Sequence, residues 1–314
     1  MLDDLIFATG ITAPIFCIIG CGVLFKRLGW INDEFARVGS ALVFKVTLPC
    51  LLFVKLVVTD FRHDIPYQLV LYALLATFLI FLILDRFIVN RFVDPYDRGA
   101  FVQGAFRGNL GIIGLAFCIS AFGEGVVAVA SIYLAVMTTL YNVLSVVSLA
   151  HHQLSEGRNA PPRVLLSVVK NPLILAITAG FIVSLADWKI PAFFLTTGEY
   201  FARMTLPLAL LCAGASIRLR EFNGSLTLYW ASASKLFFVP LFITLGGVLL
   251  GLRGEQLGVL YLMSSAPTAA ASYPMTQAMG GNYHLVAAAI AATSLGAMFF
   301  TTLGIFLLRS FTLI

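Results

Sequence analysis

Apolar residues run in long blocks along this chain, and polar residues gather in the short gaps between them. A bilayer core needs about 20 mostly apolar residues per crossing helix. That rule predicts spans near 5–25, 35–57, 66–90, 99–121, 126–150, 165–187, 194–217, 225–250, 256–279 and 284–308. Ten spans leave almost no room for a soluble domain. The longest gap, His151 to Arg163, holds Ser155-Glu156-Gly157-Arg158-Asn159 and Pro161-Pro162 and reads as a linker at the midpoint.

A midpoint linker predicts duplication. Sliding the chain on itself by 158 residues, with no gap, puts Pro14 on Pro172, Gly22 on Gly180, Trp30 on Trp188 and Gly123 on Gly281. It also puts Thr47-Leu48-Pro49 on Thr205-Leu206-Pro207. With five spans per copy, an odd number, the second copy must enter the membrane from the opposite face. The expected fold is therefore an all-α integral membrane protein of ten transmembrane helices in two inverted five-helix repeats. Residues 1–150 form the first repeat, 151–163 a linker loop and 164–314 the second repeat. Secondary transporters are built this way, with the halves exchanging roles between outward-open and inward-open states.

Composition narrows the class. With 60% apolar and 11% charged residues and a mean hydropathy of +0.97, the chain cannot cover a water-facing surface, which excludes a soluble domain. The net charge of +5 falls in the gaps, where it acts as a topology signal and not as a nucleic-acid surface. One side collects Lys26, Arg27, Arg37, Arg86, Arg91, Arg98, Arg158, Arg163, Lys170, Arg218 and Arg220; the other has Lys55, Arg62, Lys189, Arg253 and Arg309. The positive-inside rule then places both termini outside the cytoplasm, in a cell membrane that is the inner one if the source is Gram-negative. Asp3 and Asp4 precede the first apolar run and Lys26-Arg27 follow it, the pattern of a first transmembrane helix and not of a cleaved signal. Cys17, Cys21, Cys50, Cys118 and Cys212 lie inside apolar segments as small core residues, so neither a disulfide frame nor a metal site is expected.

In inverted-repeat transporters the substrate site lies near the midplane, where helices interrupted by Gly or Pro expose backbone groups to a cavity. The fourth span carries Arg107-Gly108-Asn109-Leu110-Gly111-Ile112-Ile113-Gly114; the ninth carries Ser264-Ser265-Ala266-Pro267-Thr268 and continues to Pro274. The repeat interval places Asn109 on Pro267, so broken, crossing helices are expected at one depth. Half-helix N-termini there would favour a carboxylate, and free carbonyls a cation. Small residues also serve close helix packing, but Arg, Asn and Pro are not packing residues. Arg107, expensive inside a span, offers a planar fork for a carboxylate. Lys45 and Arg203 coincide under the repeat and, with Lys235, are further cations expected to attract an anion. Ser265, Thr268, Thr138 and Asn142 complete the expected substrate-binding set with Gly108, Asn109 and Pro267. Tyr133, Thr139, Thr293 and Ser294 are polar groups that would finish a pocket or coordinate sodium. Asp85 and Glu199 stand near span ends, which disfavours two-aspartate cation antiport; His63, His151, His152 and His284 read as surface residues.

At this point the residues resemble the auxin efflux carrier family in its bacterial branch. The shared features are Arg-Gly-Asn-x-Gly-x-x-Gly in the fourth span, Leu-Pro in the second and seventh, Pro-Thr-Ala in the ninth, and Gly-Gly-Asn before the tenth. The resemblance implies the fold of bile-acid sodium symporters, with a scaffold of spans 1, 2, 6 and 7 and a mobile transport domain of spans 3–5 and 8–10. It also implies a homodimer and a small carboxylate substrate such as malate or malonate. Plant carriers of the family have Asn-Pro in the fourth span; here Asn109 precedes Leu110, which argues against auxin itself. The expected function is secondary active or potential-driven transport of a small organic anion. A sodium-coupled symporter is the alternative, so no cofactor is expected beyond possible sodium coupling. An enzyme would need a nucleophile with its base, a metal cluster or a carboxylate pair within the membrane, and none is visible. A non-transporting receptor would need an output domain or long tail beyond Arg309–Ile314.

Overall fold

The computed structural model describes residues 2–58, 66–153, 172–217 and 224–314, and among these it is all helix, with no strand. A helix satisfies its own backbone N–H and C=O groups, the one local solution open to an apolar segment that leaves water. In chain order the helices are α1 (Leu2–Arg27), α2 (Asp33–Val57), α3 (Tyr67–Phe92), α4 (Arg98–Phe106), α5 (Leu110–Phe122) and α6 (Val127–Gln153). There follow α7 (Pro172–Leu185), α8 (Ala192–Ala215), α9 (Leu226–Leu249), α10 (Gly254–Ser265), α11 (Ser272–Ala278) and α12 (Tyr283–Ser310). Among the described residues six helical segments, α1, α2, α3, α6, α9 and α12, are long and apolar enough to cross a membrane. The expected fourth and ninth spans are each two helices: α4 with α5, and α10 with α11.

Several expectations fall on undescribed residues. Most of the 151–163 linker and the start of the 165–187 span lie there, as do Arg62, His63, Arg158, Arg163, Lys170, Arg218 and Arg220. The helical chain runs through His151 and His152 to Gln153, so the linker opens later than the polar pattern indicates.

Four helices contain a π-helical turn: Val43–Thr47 in α2, Ile83–Ile88 in α3, Leu110–Gly114 in α5 and Ser234–Phe238 in α9. Proline explains two of them. Pro49 and Pro240 each stand two positions beyond the turn and lack the N–H that would close an ordinary helical bond there. Pro207 in α8 sits in unbroken α-helix, so the two Thr-Leu-Pro triplets are folded differently.

α1 packs along α8, and α7 along α2. Both seams close backbone to backbone. A Cβ added at Gly22 would lie 2.2 Å from the Leu211 carbonyl oxygen, and one at Gly214 would lie 2.0 Å from that of Ile19. A Cβ at Gly180 would meet Leu56 Cβ at 2.9 Å and the Phe53 carbonyl at 3.2 Å. The first and third contacts correspond: Gly22 and Gly180, like Phe53 and Leu211, are separated by the repeat interval. Trp30 and Trp188, another such pair, are both exposed just beyond helix ends, where an indole suits a membrane interface. The interior is formed by α4, buried from Gly99 through Phe106, and by α10, buried from Leu257 through Ser265. Large apolar side chains are exposed on the outside of α3, α9 and α12, as lipid contact requires.

Candidate functional site

The two interruptions meet. Ala266, which precedes Pro267, is extended (φ −55°, ψ 134°), because a residue before proline is driven out of the helical region, and α10 stops there. α4 stops at Arg107, also extended (φ −80°, ψ 109°), without a proline. The two short extended pieces pair antiparallel around Gly108 and Thr268. The Asn109 N–H donates to the Pro267 carbonyl at 2.7 Å, and the Ala269 N–H to the Arg107 carbonyl at 2.9 Å. Gly108 is needed for this approach, since a Cβ on it would lie 3.3 Å from the Ala266 carbonyl oxygen. Thr268 locks the junction to its neighbours: its N–H donates to Thr293 Oγ1 at 3.0 Å, and its hydroxyl to the Gly104 carbonyl at 2.7 Å. Interrupted spans are expected to leave free backbone groups at both breaks. Several are instead spent on each other, which is how irregular backbone survives away from water.

Two cations stand at this junction. Arg107 is 5% exposed; its Nη2 donates to Asn142 Oδ1 at 2.6 Å, and its Nη1 lies 3.4 Å from Gln103 Oε1 and 3.3 Å from Met275 Sδ. Lys235 is fully buried, and its Nζ donates to the Ser264 carbonyl at 2.6 Å. A Cβ added to Gly108 would also lie 3.3 Å from this Nζ, so the ammonium stands beside both breaks. Among the described residues neither cation has a carboxylate within ion-pairing distance. Unpaired buried charge is expensive, and neutral hydrogen-bond acceptors offset only part of that cost.

Of the sequence-derived candidates, the structure gathers Arg107, Gly108, Asn109, Asn142, Lys235, Pro267 and Thr268. Asn109 is half-buried at the start of α5. Ser265 is buried next to the junction, but its hydroxyl turns back to the Leu262 carbonyl at 3.1 Å. Thr138 is half-buried one turn before Asn142 on α6. Thr139 bonds the Ala135 carbonyl, Ser294 is buried, and the buried Tyr133 hydroxyl has no hydrogen-bond partner among the described residues. Lys45 is exposed on the π turn of α2, and Arg203 is exposed on α8 with Glu199 at 3.7 Å; neither meets the junction.

The structure adds Gln103, Ser264 and Met275 to the expected set. Gln103 had a signal, its position four residues before Arg107 on one helix face, whereas Met275 arrives from another helix and left none. His152 corrects the surface reading. Its side chain is 4% exposed and stands 3.0 Å from Asp85 Oδ1, which also accepts from Ser148 Oγ at 2.6 Å. The reason is the extra helical length of α6, which carries His152 onto the π turn of α3 that holds Asp85. Ser148 and His152, four apart, share the face concerned.

Comparison with known proteins agrees with this picture. A family model described as "Membrane transport protein" matches residues 7–305. The chain is 25% identical over 275 residues to "Uncharacterized transporter YfdV" of Escherichia coli (strain K12), covering 84% of this chain and 86% of that protein. The proteins of the same name from Escherichia coli O157:H7 and Shigella flexneri match with the same identity and coverage. An apolar chain whose described residues are helical and include six helices of membrane-crossing length, matched over nearly its whole extent, thus belongs to the membrane transport protein family, the auxin efflux carrier family that its fourth and ninth spans resemble.

Proposed function

We propose that this protein is a secondary transporter of a small organic anion, a mono- or dicarboxylate of the malate or malonate class, working by alternating access. The observation that carries the reading is the pair of buried cations, Arg107 and Lys235, beside crossed helix breaks with no described carboxylate to neutralise them. A carboxylate entering here would relieve that imbalance and replace the hydrogen bonds it displaces with charge-assisted ones. Arg107 supplies a planar fork, and Asn142 and Gln103 hold that fork in orientation. The first turn of α5, where Asn109, Gly111 and Ile112 are only half-buried, offers amide donors at a positive dipole end.

The architecture in this reading is two inverted five-helix repeats. The matched seams at Gly22 and Gly180, and the bond between the repeat-equivalent Asn109 and Pro267, support it. α1, α2, α7 and α8 are the scaffold; α3–α6 and α9–α12 carry the site and shift as a rigid body, in the manner of an elevator. The protein functions as a homodimer in the inner membrane with both termini outside the cytoplasm.

Purified protein would be screened by thermal shift against mono- and dicarboxylates, with and without sodium, and then as Arg107→Ala and Asn109→Ala. The expected result is stabilisation by one class of small carboxylate that both variants lose. Unchanged affinity in the Asn109 variant would put the site elsewhere.

A further inference from the structure

We propose that the Lys235 ammonium is a built-in cation for the junction, standing at the end of α10 where a soluble coupling cation would otherwise bind, so that anion binding requires no sodium. The inference deepens the anion-transport reading and takes its functional meaning from it.

The last turn of a helix presents carbonyls without intrahelical partners and a partial negative charge. In transporters built on discontinuous helices, such ends are where a coupling sodium ion or proton is held. α10 ends at Ser265, and the Ser264 carbonyl in its last turn accepts a hydrogen bond from Lys235 Nζ at 2.6 Å. The same nitrogen stands beside Gly108 in the other break, so one positive charge lies between the two interrupted helices. It gets there because Lys235 lies on the π turn Ser234–Phe238 of α9, where Ser234, Lys235 and Leu236 are all buried. No described carboxylate neutralises it, and Ser264 takes only one of its three donors. A tethered ammonium has the charge of a sodium ion, needs no recruitment from solution and cannot follow an ion gradient. It also raises the potential at Arg107, so the anion finds its counter-charge already in place.

The test uses the full-length protein purified in detergent. Wild type is melted in sodium chloride and in choline chloride at equal ionic strength, and Lys235→Ala is melted with and without methylammonium, ethylammonium or sodium. The wild-type midpoint is expected to be the same in both salts. Lys235→Ala should melt several degrees lower and recover most of the loss with a small ammonium ion or sodium, but none with choline. Saturable stabilisation of wild type by sodium would overturn the proposal, as would a Lys235→Ala protein that small cations do not restore. The sodium comparison needs no variant, so it decides the matter even if Lys235→Ala fails to accumulate. A carboxylate panel run alongside separates the two readings. Cation rescue with no carboxylate response defeats the anion reading alone, while carboxylate stabilisation that appears only with sodium defeats the built-in cation alone.

Discussion

The Asn109 amide and the Pro267 carbonyl, 2.7 Å apart, join two residues separated by the same interval as the two Thr-Leu-Pro triplets. The bond forms only if α10 stops before Pro267, and the segment beyond it, Ala269-Ala270-Ala271, is strongly helix-forming. Pro267→Ala should therefore let α10 advance into the junction, whereas Pro267→Gly should keep it open. Breaking an interior hydrogen bond costs about 1–3 kcal/mol, equivalent to about fivefold to 150-fold in affinity for whatever the junction binds. The expected order of carboxylate affinity is wild type, Pro267→Gly, Pro267→Ala; equal affinities for the two variants would remove the helix-stop argument.

Arg107 is oriented by Asn142 at 2.6 Å. Asn142→Asp would give the guanidinium a carboxylate of nearly the same shape, an internal mimic of the proposed ligand. The variant should melt higher than wild type without ligand and lose its response to added carboxylates. Arg107→Lys should keep the charge yet bind weakly, because a point charge cannot reproduce the two-pronged contact. An Asn142→Asp protein that still binds carboxylate normally would show that Arg107 is not the clamp.

Gly214 and Gly20 make a matched comparison, the first inside the α1–α8 seam and the second on the exposed face of α1. A Cβ at Gly214 would stand 2.0 Å from the Ile19 carbonyl oxygen, while one at Gly20 would meet nothing within 4 Å. Gly214→Ala must push α1 away from α8 and should lower the melting midpoint by several degrees. Gly20→Ala should leave it unchanged or raise it, since alanine gains up to about 1 kcal/mol over glycine inside a helix. Thermal melts of both proteins decide this.

Asp85 accepts from both Ser148 and His152 in a buried cluster, with Arg86 3.6 Å away. Asp85→Ala strands two polar groups in the interior, at about 1–3 kcal/mol for each left unsatisfied. The expected signature is a lower melting midpoint with unchanged carboxylate affinity. Loss of affinity at full stability would instead connect this cluster to the junction.

Much of this arrangement is legible in the sequence. Long apolar blocks mark helices because the bilayer leaves no alternative, and the two interruptions announce themselves through Arg107-Gly108-Asn109 and Pro267, residues that an uninterrupted span has no reason to keep. What escaped were relations between helices distant in sequence. Met275 meets Arg107 through tertiary packing that no local pattern encodes. Lys235 could be suspected as a lone charge, but its placement over the end of α10 depends on a π turn, a change in register too subtle to read from composition. Lys45 and Arg203 show the opposite failure: they coincide under the repeat and lie near prolines, yet both are exposed away from the junction. The polar pattern ends the fifth span at 150 while the helix runs to Gln153, enough to turn the interior imidazole of His152 into an apparent surface one.

At the glycine seam between α1 and α8, main chain rests directly on main chain, with no side chain interposed at Gly22 or Gly214. Such a joint holds no rotamer to flip and no slack to take up, so it cannot serve as a latch. It behaves as a weld, the fixed datum for any stroke in the proposed transport cycle.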